Sequence, residues 1–261
     1  MSCKNYHQSV PKTIVFKYHR YVLLLLLLFA MPWIGSAQVL HWAAGVSGSS
    51  NEAGNAVAID AQGNVYTTGF FRDIVDFDPG AGIANLTAAG IDIFVLKLDK
   101  DGNFLWAKSA GNVNSNMGQG IATDAAGNVY VTGSFSDSVD FDPGPGSNYL
   151  TSAGSSDAFV LKLDGAGNFV WAKSMGGASS DYSYSIALDT SGNVFTTGNF
   201  FSSGDFDPGA GNFTLTSAGA VDVFISKLDN NGNFLWAGAI GGTDDESGTA
   251  ITIDVTQVIN L

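Results

Sequence analysis

The sequence is poor in charge, and above all in positive charge. Only 13% of its 261 residues are charged, with 11 Lys and Arg against 24 Asp and Glu and a formal net charge of −13 at pH 7. Binding of nucleic acid depends on clusters of Lys and Arg that neutralise phosphates. We therefore expect no nucleic-acid partner. Because 45% of the residues are apolar, the chain can still bury a hydrophobic core.

Cysteine and histidine are almost absent. The chain has one cysteine, Cys3, and three histidines, of which only His41 lies beyond residue 37. Hydrolase, zinc-protease and nucleotide-binding motifs such as Gly-x-Ser-x-Gly, His-Glu-x-x-His and the Walker or Rossmann glycine patterns are missing. We therefore expect no enzyme. The alternative left open is a carbohydrate-active enzyme of the glycosidase or lyase type that uses a pair of loop carboxylates.

Long apolar runs are missing except near the N-terminus. Four basic residues and no acidic one precede a run that includes Leu23 to Leu28, and Gly35-Ser36-Ala37 follows. This order is typical of a secretory signal peptide cleaved after Ala37, whereas a spanning helix needs about 20 apolar residues. The pattern predicts a signal peptide over residues 1 to 37 and a secreted or cell-surface protein without a transmembrane segment after cleavage. The mature chain then has 7 basic against 24 acidic residues, a net charge of −17 and no cysteine for a disulfide.

Residues 38 to 261 form a repeat with a period of about 65 residues. Trp42, Trp106, Trp171 and Trp236 are spaced 64, 65 and 65 residues apart. The block Asp-Phe-Asp-Pro-Gly recurs three times, and so does Lys-Leu-Asp. A fixed period of this kind dictates the architecture. The predicted units are 42 to 105, 106 to 170, 171 to 235 and a partial unit from 236 to 261.

Each unit predicts four antiparallel strands. The pattern Asp-x-x-Gly-Asn occurs twice per unit, and Asp at its first position with Gly at its fourth favours a tight turn between two strands. Short β-branched and aromatic runs flank these turns, as in Asn128 to Phe135. Four-stranded sheets that repeat along a chain are the blades of a β-propeller. The predicted fold is all-β, with about three and a half blades.

The sequence resembles a known repeat family. The segments that carry the likeness are Asp124-Ala-Ala-Gly-Asn-Val-Tyr-Val-Thr-Gly-Ser-Phe135, Asp157 to Asp164 and Gly167 to Gly177, with their copies. They resemble SBBP, the bacterial seven-bladed β-propeller repeat. The resemblance implies an exported or cell-surface protein of Bacteroidetes-like organisms and no defined activity. After Asp254 the turn pattern fails, which predicts an incomplete or truncated propeller, with closure by self-association or an open arc as the alternatives.

Two groups of residues are candidates for ligand or metal binding. Paired carboxylates in the Asp-Phe-Asp-Pro-Gly blocks suit a structural Ca²⁺, although Pro and Gly after them favour a simple turn, and we expect no other cofactor. The calcium candidates are Asp76, Asp78, Asp140, Asp142, Asp205 and Asp207. The second group lies where the repeats differ, in loops expected on one face. It would hold Ca²⁺, contact a protein or glycan at the cell surface, or form a solvated acidic rim. Its members are Glu52, Asp181, Tyr182, Asp244, Asp245 and Glu246, with Asn116 and Tyr184 beside them.

The residues that recur once per unit predict an architectural role. Asp92, Asp157 and Asp222 precede the third strand of each unit, and Lys97 with its copies lies within that strand. We expect the aspartates to cap backbone N–H groups and the lysines to form an ion pair or to pack their stems between blades. The recurring tryptophans are expected in the core between blades.

Overall fold

The computed structural model describes residues 41 to 254 and 259 to 260. The predicted signal peptide and residues 255 to 258, where the turn pattern fails, lie outside the described residues. The described part of the chain consists of strands and turns, and it contains no helix that could cross a membrane. The prediction of an all-β fold is confirmed.

Nineteen strands make up the described chain. Those of the first unit are β1 (Ser47–Gly48), β2 (Ala53–Ile59), β3 (Val65–Phe71), β4 (Ile74–Asp76), β5 (Asn85–Thr87), β6 (Asp92–Leu98) and β7 (Phe104–Ala110). Those of the second are β8 (Met117–Thr123), β9 (Val129–Phe135), β10 (Ser138–Asp140), β11 (Tyr149–Thr151), β12 (Asp157–Leu163) and β13 (Phe169–Gly177). The third has β14 (Tyr182–Leu188), β15 (Val194–Asp205), β16 (Thr214–Leu228) and β17 (Phe234–Ile240), and β18 (Thr252–Ile253) and β19 (Ile259–Asn260) begin a fourth.

Each unit builds one four-stranded antiparallel sheet, as predicted. The first blade has the order β2-β3-β6-β7, the second β8-β9-β12-β13 and the third β14-β15-β16-β17. The first strands of successive blades lie side by side, and the Asn55 side chain donates to the Gly118 carbonyl across that boundary at 2.8 Å. Strands β18 and β19 pair as the first hairpin of a fourth blade.

A small additional hairpin stands between the second and third strands of each blade. In the first two units it is the separate pair β4–β5 and β10–β11, and in the third it is continuous with the long strands β15 and β16. The Asp-Phe-Asp-Pro-Gly block begins at the last residue of the incoming strand and continues into the loop. The sequence predicted the turn there but not the short strands on either side of it.

The Asp-x-x-Gly-Asn segments are tight turns, as predicted. In all six the Gly has a positive φ between 78° and 86°, a region that residues with a Cβ rarely occupy. In the turn at Asp124, Oδ1 accepts the N–H groups of Ala126 and Asn128, both at 2.9 Å. The Asn128 side chain then donates to Oδ2 at 2.7 Å. Each turn therefore binds its own backbone and reverses the chain between two strands.

The hydrophobic core lies between blades. One cluster combines Ile93 and Val95 of the first blade with Val129 and Phe159 of the second, and another joins Tyr130 of the second blade to Phe224 of the third. Strands β6, β9 and β12 are buried along their whole length. Burial on both faces explains why these strands carry continuous apolar runs and so little charge.

The recurring tryptophan and lysine join each blade to the next. The Trp106 indole and the Lys97 ammonium both donate to the carbonyl of Gly165, at 3.2 and 2.9 Å. Their copies Trp171 and Lys162 donate to the carbonyl of Asn230. Both sites lie in the turn between the third and fourth strands of the following blade. The expectation that these residues act at the blade boundary is confirmed.

Candidate functional site

Each unit has a polar residue shortly before its first strand, and in the second and third units this residue lies at the boundary between blades. Asp181 and Asn116 have no exposed surface. Asp181 Oδ2 accepts the Gly177 N–H at 2.7 Å and its Oδ1 accepts the Phe201 N–H at 3.1 Å. Each carboxylate oxygen thus binds one of the two blades. Asp181 and Asn116 therefore form buried connections between blades and are not part of a solvated rim.

Glu52 and Glu246 use one carboxylate oxygen in a similar way. Glu52 Oε1 accepts the Gly48 N–H and Glu246 Oε2 accepts the Gly242 N–H, both at 3.0 Å. The second oxygen of Glu52 is buried without a hydrogen-bond partner. It lies beside a cavity of about 410 Å³, whose lining is mostly apolar and includes Trp42, Val46, Phe94, Leu96 and Leu98. The copies of Phe94, Leu96 and Leu98 in the second blade are buried against the first blade, so this cavity occupies the position of a blade boundary.

The buried aspartates form a carboxylate pair at one boundary. Asp157, at the start of β12, accepts the Ala153 N–H at 3.0 Å through Oδ2, which confirms the predicted capping role. Its Oδ1 and Asp181 Oδ2 lie 2.9 and 2.7 Å from the same point, the one that a Cβ on Gly176 would occupy. Burial raises the pKa of Asp157 to about 6, and the adjacent carboxylate of Asp181 adds to the rise. Burial also raises the pKa of Asp181.

The first strand of each blade contains a β-bulge, and the extra residue differs from blade to blade. The register shifts between Gly54 and Ala56, between Gly118 and Gly120, and between Ser183 and Ser185. The extra residues are Asn55, Gln119 and Tyr184. Bulges re-aim a side chain relative to the regular strand and are frequent beside binding sites. Because the three strands are neighbours, the bulge places two amides and one phenol along adjacent strands.

Tyr184 is paired with Tyr182 two residues earlier on the same strand. The two rings are nearly parallel, with an interplanar angle of 13° and centroids 6.3 Å apart. Both rings are partly exposed. The matching residues are Ala53 and Asn55 in the first blade and Met117 and Gln119 in the second. The tyrosine pair is therefore a feature of the third blade that the repeat does not require.

The remaining predicted candidates lie apart from this surface. Asp244 and Asp245 are exposed in the loop after β17. The six calcium candidates lie in the loops of the small hairpins, where Asp76 Oδ1 accepts the N–H groups of Asp78 and Ala84 and Asp78 Oδ1 accepts that of Gly80. The copies at Asp140 and Asp142, and at Asp205 and Asp207, bind the backbone in the same way. Within the described residues, no group of three or more His, Cys, Asp or Glu is arranged to hold a metal ion.

With this geometry in place, the chain can be compared with known proteins. Residues 105–134 and 170–199 match the family model SBBP, described as a beta-propeller repeat. Two segments of the chain thus match a β-propeller repeat. Each match runs from the fourth strand of one blade to the second strand of the next, and so crosses a blade boundary. Asn116 and Asp181 fall at corresponding places within the two matched repeats, where the residue type changes from amide to carboxylate.

Two curated proteins are similar to the chain over much of its length. An uncharacterized WD repeat-containing protein of Acanthamoeba polyphaga mimivirus is 28% identical over 85% of this chain. The regulatory protein FlaEY of Caulobacter vibrioides is 27% identical over 64% of this chain. The chain spans 18% of the length of each relative. A repeat that resembles parts of two much longer proteins supports a repeat scaffold.

A solved structure shows a weaker likeness. It is a protein of unknown function from Bacteroides caccae, 10% identical, with a TM-score of 0.27 over 76% of this chain and 85% of that chain. A likeness this weak bears neither on the fold nor on the function of the chain.

Proposed function

We propose that the chain is an exported β-propeller repeat scaffold, secreted or displayed at the cell surface, that binds a glycan without catalysing a reaction. The observation that carries this proposal is the parallel pair of Tyr182 and Tyr184 beside the bulge amides Asn55 and Gln119. The periodic polar residues bind backbone groups within and between blades, so the repeat itself accounts for them. The tyrosine pair has no such structural necessity.

The chemistry of this surface favours a glycan over the other expected partner, a protein. Aromatic faces pack against the C–H faces of sugar rings and keep a polar tip free for hydrogen bonds. Primary amides both donate and accept hydrogen bonds, which matches sugar hydroxyls. Asn55 already uses its amide to donate to Gly118 and retains its oxygen as an acceptor. The three adjacent first strands thus present a row of groups suited to a polysaccharide chain.

Binding to a panel of soluble polysaccharides, measured by calorimetry, tests the proposal. Tyr184→Ala is expected to weaken binding at least about fivefold, since a stacking contact contributes about 1 kcal/mol or more. Tyr149→Ala is the matched control, because Tyr149 is an exposed tyrosine on β11, away from the bulges, and its loss is expected to leave binding unchanged. Equal affinity in wild type and Tyr184→Ala would contradict the proposed surface.

The same panel separates the scaffold from the carbohydrate-active enzyme. Among the acids that would serve as catalysts, Asp181 is fully buried, and Glu52 and Glu246 each bind a backbone N–H group. Asp244 and Asp245 remain exposed. Release of reducing ends that is lost in Asp244→Ala or Asp245→Ala would replace the scaffold with the enzyme. We expect no release.

A further inference from the structure

The contact between the second and third blades contains two buried acids that face each other. Asp157 is 3% exposed and Asp181 is not exposed at all. Their nearest oxygens both lie within 3 Å of one point beside Gly176, where that residue has no side chain. Two carboxylates in so small a buried space repel each other strongly when both are ionised.

One of the four oxygens has no partner. Asp157 Oδ2 and both oxygens of Asp181 accept backbone N–H groups, but Asp157 Oδ1 is buried without a hydrogen bond. A buried polar atom without a partner costs free energy. A proton on Asp157 Oδ1 removes both problems, because it cancels one charge and turns the unpartnered oxygen into a hydrogen-bond donor. The pair then resembles two carboxyl groups that hold one proton between them.

No compensating positive charge faces this pair among the residues that the structure describes. The groups that contact it are the N–H groups of Ala153, Gly177 and Phe201 and the backbone of Gly154 and Gly176. The two ion pairs, Lys100 with Asp101 and Lys227 with Asp189, lie elsewhere. Asp181 is the titratable neighbour that acts on Asp157.

The adjacent boundary provides an internal comparison. Between the first and second blades Asp92 takes the place of Asp157, and Asn116 takes the place of Asp181. Asn116 is also fully buried, and its oxygen accepts the Ser136 N–H as Asp181 accepts that of Phe201. The amide therefore fills the same architectural role without a second carboxyl group. Asp92 Oδ1 is also buried without a partner and burial raises the pKa of Asp92 as well, so the feature that sets the second boundary apart is the carboxyl group of Asp181. The acid at position 181 is not needed to join the blades.

We propose that Asp157 and Asp181 share one proton and make the contact between the second and third blades sensitive to pH. In acid the shared proton joins the two blades. Near neutrality the proton is lost, two negative charges remain within the boundary, and the contact between the second and third blades loosens. The boundary that contains Asn116 has no second carboxyl group and does not change in the same way. The third blade carries the tyrosine pair, so the same step can alter how the proposed binding surface is held.

The direction of the pH dependence follows from the pKa of Asp157 in the folded chain compared with its ordinary value. The pKa of Asp157 lies at about 6 in the folded chain, above its ordinary value of 3.8. A carboxyl group whose folded pKa is raised stabilises the fold only while it is protonated. Stability from this group is present in acid and is lost as the pH rises from about 4 to about 6.

Carboxyl ¹³C NMR of the 261-residue chain tests the shared proton directly. The Asp157 carbon is expected to titrate near pH 6 in the wild type and at lower pH in Asp181→Asn. A wild-type midpoint in the ordinary aspartate range would overturn the proposal. An elevated midpoint that does not move in Asp181→Asn would also overturn it, since the rise would then come from burial alone.

Two reciprocal variants test the effect on the fold. Asp181→Asn copies the residue present at 116 and is expected to flatten the fall in Tm between about pH 4 and 7. Asn116→Asp installs a second pair and is expected to make that fall steeper. An unchanged slope in either folded variant counts against the proposal. Both readouts concern protonation and stability, so loss of glycan binding alone does not affect this proposal, and failure here leaves the proposed binding surface in place.

Discussion

At the scale of single residues, the aspartates of this chain divide into two chemical groups. Six stand in the Asp-x-x-Gly-Asn turns, where their carboxylates accept nearby N–H groups. Burial acts to raise the pKa of most of these carboxyls, but the Asn side chains and backbone N–H groups outweigh it and lower the pKa overall. In Asp92, Asp157 and Asp181 burial prevails instead and raises the pKa. The turn aspartates thus stabilise the fold when they are ionised, whereas the buried aspartates stabilise it when they are protonated.

Removal of a turn carboxylate is expected to destabilise the fold. Asp124→Ala breaks four hydrogen bonds, from two backbone N–H groups, the Asn128 side chain and the Tyr130 hydroxyl. We expect the free energy of unfolding in urea to fall by about 1 to 3 kcal/mol. Asp245→Ala, at an exposed loop position, is the control and should change it by less than about 0.5 kcal/mol. Equal effects would show that the turn bonds do not matter.

The same carboxylates predict how the fold responds to acid. A carboxyl whose folded pKa lies below its ordinary 3.8 contributes stability above that value, and the contribution is lost as the pH falls through the folded pKa. We therefore expect the urea concentration at the midpoint of unfolding to fall when the pH is lowered below about 4. Asp157 acts in the opposite direction, because its stabilising contribution is lost as the pH rises. A midpoint that stays constant from about pH 4.5 to 2.5 would contradict this assignment.

Sequence patterns predicted the turn residues well and the candidate site poorly. Asp124 and Gly127 could be placed because turn chemistry depends on neighbours within four residues. Asp181 looked like a loop acid because its burial depends on how one blade packs on the next. The difference between Asn116 and Asp181 at one repeat position was the available signal, but only the structure shows that Asp157 lies opposite.

At the scale of strands, the blades depend on glycines where the first and second strands come very close. A Cβ on Gly69, Gly133 or Gly198 would lie 1.8 Å from a carbonyl oxygen of the first strand. These glycines are in the second strand and lie opposite the bulged part of the first. The bulge residues Asn55, Gln119 and Tyr184 therefore owe their positions to a missing side chain on the neighbouring strand.

A glycine-to-alanine comparison tests this close approach. Gly133→Ala must separate β8 from β9, and we expect a loss of about 2 to 4 kcal/mol in the free energy of unfolding. Gly238→Ala is the control, since Gly238 also lies in a strand but a Cβ there would meet nothing within 4 Å. It should be neutral or slightly stabilising. Similar losses at both positions would mean that the close approach is not the cause.

The predicted strands agree with the structure to within a few residues, but the small hairpins were missed. Strand β9 occupies Val129–Phe135, against a predicted run from Asn128 to Phe135. Strands of three residues such as β4 and β5 are too short to show an alternation of apolar and polar positions. The block at Asp76 to Gly80 therefore predicted a turn without the strands that the turn joins.

At the scale of the whole molecule, the paired aspartates of the small hairpins raise the question of whether thermal stability depends on a metal ion. The first carboxylate of each pair accepts two backbone N–H groups and the second accepts one. We expect Tm to be unchanged when EDTA replaces Ca²⁺, because Oδ1 of each carboxylate already accepts backbone N–H groups. An occupied site that stabilises the chain by about 2.7 kcal/mol would shift Tm by roughly 5 to 10 °C. A fall of that size on chelation would restore the calcium interpretation.

The recurring hydrogen bonds between blades are asymmetric, and this asymmetry affects which sequence changes they tolerate. On one side stand specific donors, a tryptophan and a lysine, while the acceptor on the other side is a main-chain carbonyl. The residues that supply this carbonyl are Gly165 and Asn230, and Lys100 provides it for Trp42. Any amino acid can offer the same main-chain oxygen, but at Asn230 the side-chain oxygen also accepts from Lys162 and Tyr130. This one bond can therefore survive a change of the accepting residue, as it does between Gly165 and Asn230, whereas the buried side chains that meet across each boundary still have to match.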